Sequence, residues 1–298
     1  MDVYYGRPDG FYQRYAPTND AGPWTAASDE ANDYSQPSIV ALANAMNLSS
    51  WGTTSGTTYW TDWYKCIRTA TDFINHIDGT TAVDVTDFLK VHFKAEARGL
   101  RAIFYFWLLR LYGPIPILHD EIDVNASGSS VYIPRTPFDT CVSYIVSQLD
   151  SAYDEIQSVS NADHLGSTPI SLGTNPEYGR ITTGICKAYK EQVLMLAASP
   201  LFNGNTDYAA LKNNDGTQLI SQTSDINKWK LAADAAKAFI DEFVPGTYSI
   251  YTSTGSDSFT NAYNSCRNVV ITDWNSEWIW GRSYLSSVSI MYMILLHH

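Results

Sequence analysis

Basic residues are scarce in this chain, and none of them cluster. Nineteen Lys and Arg are spread over 298 residues against 31 Asp and Glu, which leaves a net charge of -12. A phosphate backbone is held by clustered cations, so nucleic acid is excluded as a partner. Cysteine is rarer still. Cys66, Cys141, Cys186 and Cys266 stand far apart and form no C-x-x-C pair, which removes the usual zinc and thioredoxin-like arrangements. A chain of this length does not need disulfide staples, so the four read as buried free thiols with no disulfide among them. Signature motifs are missing too. There is no G-x-S-x-G, P-loop or G-x-G-x-x-G, and the six histidines (at 76, 92, 119, 164, 297 and 298) show no metal-ligand spacing. On these grounds no catalytic residue, no metal site and no cofactor is assigned. No apolar run is long enough to cross a bilayer, and Met1-Asp2-Val3 opens no basic-then-apolar leader. The apolar run Ile290–Leu296, followed by His297-His298, is expected to pack inside or to mark truncation of a longer protein.

What the chain does have is aromatic residues, at 13% with 9 Trp and 20 Tyr. It is also 45% hydrophobic, enough for a sizeable core. Five segments repeat their apolar residues at helical spacing. The first covers about 59–78, with Trp60, Trp63, Tyr64, Ile67, Ile74 and Ile77 on one face. The second covers about 86–112 and carries the clearest stripe, Leu89, Phe93, Ala97, Leu100, Phe104, Leu108 and Leu111. Gly113-Pro114 ends it, since glycine suits the left-handed cap and proline cannot continue a helix. The third, about 137–157, has Thr136 as N-cap and Pro137 at the first helical position. The fourth covers about 182–199 and the fifth about 228–243.

Between them run polar stretches, 18–58, 119–135, 158–180, 203–227 and 245–275, rich in Gly, Ser, Thr, Asn and Asp. Loops of that length in a compact protein are usually functional. The expected architecture is mostly α, stacked helix pairs carrying long ligand-binding loops. The aromatics within those loops, Trp24, Tyr34, Trp51, Tyr263, Trp274 and Tyr284, form the set of functional interest. A pyranose presents a face of C–H groups that stacks on indole or phenol, while its hydroxyls need Asp, Asn or Arg nearby. The stretch 18–58 offers both kinds, with Asp29 and Asn44 beside its aromatics. The ligand-binding set assigned from sequence is Trp24, Asp29, Tyr34, Trp51, Trp274 and Tyr284. Each tryptophan could instead pin its own loop to the scaffold. Asp29-Glu30 with Asp33, and Asp273 with Glu277, are the paired carboxylates a glycosidase would need, but nothing in their surroundings marks them as an acid and a base. Glu96, Arg98 and Arg101, on the most apolar helix, read as charge-assisted hydrogen-bonding groups that orient it.

Several stretches resemble one family in its own order. Trp60-x-x-Trp63-Tyr64-x-x-Ile67 opens the first helix. Glu96-Ala97-Arg98-Gly99-Leu100-Arg101-Ala102-Ile103-Phe104-Tyr105-Phe106, with Tyr112-Gly113-Pro114-Ile115-Pro116 after it, is the most specific. Arg135-Thr136-Pro137-Phe138, Gly179-Arg180-Ile181-Thr182, Ser199-Pro200-Leu201-Phe202-Asn203, Trp229-x-x-Ala232 and Asn275-Ser276-Glu277-Trp278 follow. Together they resemble the SusD/RagB family of outer-membrane nutrient-binding lipoproteins over roughly 25–282. Gly99 stands where the family has a larger residue. The resemblance implies one SusD-like domain over 1–298, incomplete at both ends, built of tetratricopeptide-like helix pairs. It also implies a non-catalytic protein on the extracellular face of the outer membrane, attached only through a lipid anchor that this chain lacks. Its ligand would be a glycan or another oligomeric nutrient, and its partner a SusC-like TonB-dependent transporter. The alternatives are a peptide-binding member of the same family, a helical-scaffold glycosidase, or a structural surface component.

Overall fold

The computed structural model describes residues 59–123, 125–163, 179–272 and 275–281. Six helices occur among them: α1 Tyr59–His76, α2 Asp87–Tyr112, α3 Phe138–Asp163, α4 Thr183–Ala198, α5 Asn227–Phe243 and α6 Ser258–Ile271. Among the described residues there is no strand, only one isolated bridge between Lys212 and Gln218. The architecture is mostly α, as the periodicity implied.

The chain divides into two units, Met1–Thr69 and Ala70–His298, with the boundary inside α1. In the first unit the described residues are the opening turns of that helix. Trp63 and Ile67 are buried there, and the Trp60 and Tyr64 rings lie 5.0 Å apart on successive turns.

The second unit is built on α2. Thr86 caps it, its hydroxyl accepting from the Leu89 amide, and Gly113 closes it at φ 70°, in the left-handed region that glycine tolerates. From Ala95 to Leu109 almost every side chain is buried, so this stretch is enclosed on all sides rather than along one stripe. Helices α2 and α3, α3 and α4, and α4 and α5 pack in succession, the stacked-pair arrangement expected. Gly99 is the close-approach point: a Cβ there would sit 3.0 Å from Ile181 Cγ2 and 3.7 Å from the Ala152 methyl. Glycine lets α3 and the entrance to α4 reach the α2 backbone, which accounts for the small residue at that position.

Two boundaries moved. α3 runs six residues beyond the expected end at 157, to Asp163, and it starts at Phe138, so Pro137 precedes the helix and only its carbonyl accepts from Cys141. The larger correction is α6. Residues 245–275 read as loop because Ser, Thr and Asn offer the backbone alternative hydrogen bonds, yet 258–271 is helical.

Cys141 and Cys186 are buried, and burial lifts the Cys141 thiol to about 11 and pushes Cys186 up as well. Cys66 is half-buried, and Cys266 is exposed on α6, contrary to the buried reading.

Candidate functional site

Glu96, Arg98 and Arg101 of α2 are committed to the scaffold. Glu96 is 5% exposed; its Oε1 lies 2.8 Å from His92 Nε2 and accepts from Arg180 Nε at 2.7 Å. Arg180 also covers the Phe93 ring at 5.4 Å. Two residues further along, Arg98 forks onto both oxygens of Glu155 at 3.0 and 3.1 Å. Gln148 Oε1 accepts from Arg98 at 3.3 Å and from Arg101 at 2.8 Å, while Arg101 also donates to Thr71 at 3.2 Å. These contacts tie α2 to α1, α3 and the entrance of α4. The buried Glu96 carboxylate is stabilised by its Arg180 partner, and the Arg101 guanidinium by hydrogen bonds to neutral oxygens.

Two tryptophans are also structural. Trp278 is buried, and Trp280 stacks on Trp107 at 6.4 Å and donates its indole N–H to the Gly179 carbonyl at 3.0 Å. Glu277, one of the paired-carboxylate candidates, accepts from the Tyr251 amide at 2.7 Å. It closes a loop.

All six assigned ligand residues, Trp24, Asp29, Tyr34, Trp51, Trp274 and Tyr284, lie outside the described residues. So do Glu30, Asp33, Asn44 and Asp273. Of the loop aromatics only Tyr263 is described, and the structure gives it a setting the sequence did not suggest. It stands on α6, one helical turn after Phe259.

That helix has an unusual construction. None of its residues is buried, and among the described residues it packs on no other helix. Polar bonds hold it instead. Asp257 caps its first turn, accepting from the Thr260 amide and hydroxyl, each at 2.9 Å. These hydrogen bonds stabilise the carboxylate and pull the Asp257 pKa below its usual value. The Ser265 hydroxyl accepts from the Ser253 amide at 2.9 Å, and Asn261 accepts from Gly255. At the other end the buried amide of Asn275 donates to the Val269 and Thr272 carbonyls at 2.7 and 2.9 Å, while its oxygen accepts from Glu277 N at 3.0 Å.

So anchored, α6 presents an apolar stripe to solvent. Phe259 is 78% exposed, Tyr263 58% and Val270 62%. The Phe259 and Tyr263 rings are 6.5 Å apart and only 18° from parallel. Arg267 is exposed on the same helix and supplies hydrogen-bonding groups. Aromatic faces with a guanidinium donor on the same helix can take the C–H face and the hydroxyls of a sugar. Phe259 was missed from sequence. The signal that could have found it is the Asp257 cap with the i, i+4 aromatic pair behind it.

Residues 9–167 match a family model described as starch-binding associating with outer membrane, of SusD-like type. A SusD-like protein of Bacteroides ovatus is 25% identical over 240 residues, which covers 72% of this chain and 40% of that protein. SusD-like protein P25 of Formosa agariphila is 25% identical over 154 residues, covering 51% of this chain and 27% of that protein. Among solved structures, BT4246 superposes with a TM-score of 0.64 at 27% identity, covering 79% of this chain and 43% of its own. A SusD-like protein of Bacteroides fragilis shares the fold at a TM-score of 0.51 and 19% identity, over 76% of this chain and 33% of its own. The chain thus spans about two fifths of the length of the Bacteroides ovatus relative and of BT4246. With more than half of its length inside the family model, this chain belongs to the SusD-like family.

Proposed function

We infer that this chain is part of an outer-membrane protein that captures oligosaccharide and does not cleave it. The observation that carries this is the family match over 9–167, whose description is starch-binding in association with the outer membrane. The exposed, near-parallel Phe259 and Tyr263 rings on a helix that buries nothing support a contact role for that surface. The commitment of Glu96 and Glu277 to scaffold hydrogen bonds removes two carboxylates from the list of possible acids and bases.

The finer reading follows the family. The protein sits on the extracellular face of the outer membrane through a lipid anchor. Its glycan contacts are Trp24, Asp29, Tyr34, Trp51, Trp274 and Tyr284, and the α6 face is a further contact surface of its own. A SusC-like TonB-dependent transporter receives the ligand.

The test is calorimetric titration of the purified chain with neutral oligosaccharides and with peptides of matched size, followed by chromatography of the mixture after long incubation. Saturable binding of an oligosaccharide that is recovered intact is the expected result. Peptide binding alone would move the protein to the peptide-binding branch, and shortened sugar products would make it an enzyme. Co-purification with a TonB-dependent transporter from outer membranes tests the hand-off.

A further inference from the structure

We propose that Asp72, His76 and Glu121 form a binding site for a single divalent cation of the zinc class, fastening the loop after α2 to the end of α1. The sequence offers no metal motif here, because the third ligand comes from a loop 45 residues beyond His76. Asp72 and His76 are four residues apart, one turn of α1, so their side chains emerge on the same face. The loop then brings Glu121 to them. His76 Nδ1 lies 3.3 Å from Asp72 Oδ1 and 3.9 Å from Glu121 Oε1, and the three ligand atoms all fall within 4.8 Å of one another. In a tetrahedral zinc site, ligand atoms at about 2.0–2.2 Å from the metal are about 3.4 Å from each other. The His76 nitrogen is near that spacing from each carboxylate oxygen, and the two carboxylates close from within 4.8 Å as a cation draws the three together.

The donor set favours zinc over calcium. An imidazole nitrogen with two carboxylates suits a borderline cation, whereas calcium prefers six or more oxygens. The carboxylate from the loop is also held in place. Asn75, between the two helical ligands, donates to Glu121 Oε1 at 3.0 Å and to Asp120 Oδ1 at 2.9 Å, and the Glu121 amide donates to Asp120 Oδ1 at 2.8 Å. Hydrogen bonds to ligating carboxylates from outside the shell are a regular part of metal sites.

The local charge is unbalanced in the same sense. Asp72, Asp120 and Glu121 converge with no lysine or arginine paired to any of them among the described residues. The buried Arg101 guanidinium acts on Asp120 only through space, its own hydrogen bonds going to Thr71 and Gln148. His76 Nδ1 also lies 2.8 Å from the Asp72 backbone carbonyl, so the ring turns from that carbonyl, with its proton on Nε2, to present Nδ1 to a cation.

The test uses the full chain, stripped with chelator and titrated with Zn²⁺ alone by calorimetry and with Co²⁺ by visible absorption. One equivalent of Zn²⁺ and an intense tetrahedral Co²⁺ band are expected. His76→Ala and Glu121→Gln should each weaken Zn²⁺ binding at least tenfold and remove the band. Asn75→Ala, which leaves the ligands in place, should weaken it about 10- to 100-fold, as loss of an outer hydrogen bond does. A His297→Ala/His298→Ala variant should bind as the parent does. All these side chains are exposed, and the conservative Asp72→Asn serves as a further variant in which the helix is retained. The proposal is overturned if there is no Zn²⁺ uptake, if uptake survives His76→Ala, or if it disappears with His297 and His298. Tighter binding of Ca²⁺ than of Zn²⁺ overturns it as well.

Discussion

The phenol of Tyr105 makes both hydrogen bonds of one residue's backbone: it donates to the Leu118 carbonyl at 3.0 Å and accepts from the Leu118 amide at 2.9 Å. Tyr105 is fully buried, and desolvation holds its pKa well above the phenol range, so it remains a donor at any working pH. This is how the chain leaving the Gly113-Pro114 turn is fastened to α2, and it sets the root of the loop that carries Glu121.

Tyr105→Phe should therefore destabilise the protein more than loss of one hydroxyl suggests. Two backbone groups lose their partner, at a cost of about 1–3 kcal/mol. The expected outcome is a melting temperature lower by several degrees in a thermal denaturation scan, with the far-ultraviolet helix signal unchanged. A melting temperature equal to the parent's would mean that water reaches Leu118 and that the anchor is not needed.

Gly99 gives a prediction with a change of sign. In a helix interior alanine is favoured over glycine by about 1 kcal/mol. Here the new methyl would meet Ile181 Cγ2 at 3.0 Å, closer than ordinary contact. Gly99→Ala should thus destabilise the parent, by roughly 1 kcal/mol or more as overpacking does. In an Ile181→Ala background, where Cγ2 is gone, the same change should stabilise. A double-mutant cycle in urea measures the coupling.

The cap of α6 should respond to acid. The Asp257 pKa is lowered in the folded state, with the Thr260 amide hydrogen bond as the first cause. A lowered folded pKa means that the carboxylate's contribution is complete above the unfolded value of about 3.9. It is lost as pH falls through the lower folded value. Protection of the amides in the first turn of α6, taken relative to intrinsic exchange at each pH, should fall below about pH 4. Asp257→Asn, which still caps, should remove the acid dependence and keep the helix, whereas Asp257→Ala should fray it at neutral pH. Protection of these amides that stays constant through acid in the parent would sink the idea.

The aromatic surface separates contact from packing. Phe259→Ala and Tyr263→Ala remove rings that are already in water, so melting temperature should hold within about a degree, as it does for surface changes. Covering such a ring with ligand is worth on the order of 1–2 kcal/mol, so each change should weaken oligosaccharide binding roughly 5- to 30-fold. Trp24→Ala, Trp51→Ala and Trp274→Ala are expected to behave the same way wherever the tryptophan touches sugar. A tryptophan that only pins its loop would instead lower the melting temperature and leave affinity intact. Unchanged affinity in all five variants would place the binding surface elsewhere.

Composition and periodicity determined a good deal of this protein without help. The α2 stripe from Leu89 to Leu111 and the stop at Gly113-Pro114 are local signals, written in neighbouring residues, and α2 and α4 begin and end within a residue or two of their expected bounds. The motif Glu96-Ala97-Arg98-Gly99-Leu100-Arg101-Ala102 likewise led to the family, because it packs into a fixed interior.

Other features depend on what the chain brings together over distance. Residues 258–271 are rich in Ser, Thr and Asn, and their helix forms because Asp257, Ser253 and Asn275 satisfy its ends and flanks from either side. That Gly99 must stay small follows from Ile181, 82 residues away in sequence, and the grouping of Asp72 and His76 with Glu121 follows from a loop return. Helical pattern is a property of spacings of three and four, and a single sequence displays it. Close approach and convergence of side chains are properties of how the helices stack, and only the tertiary structure decides them.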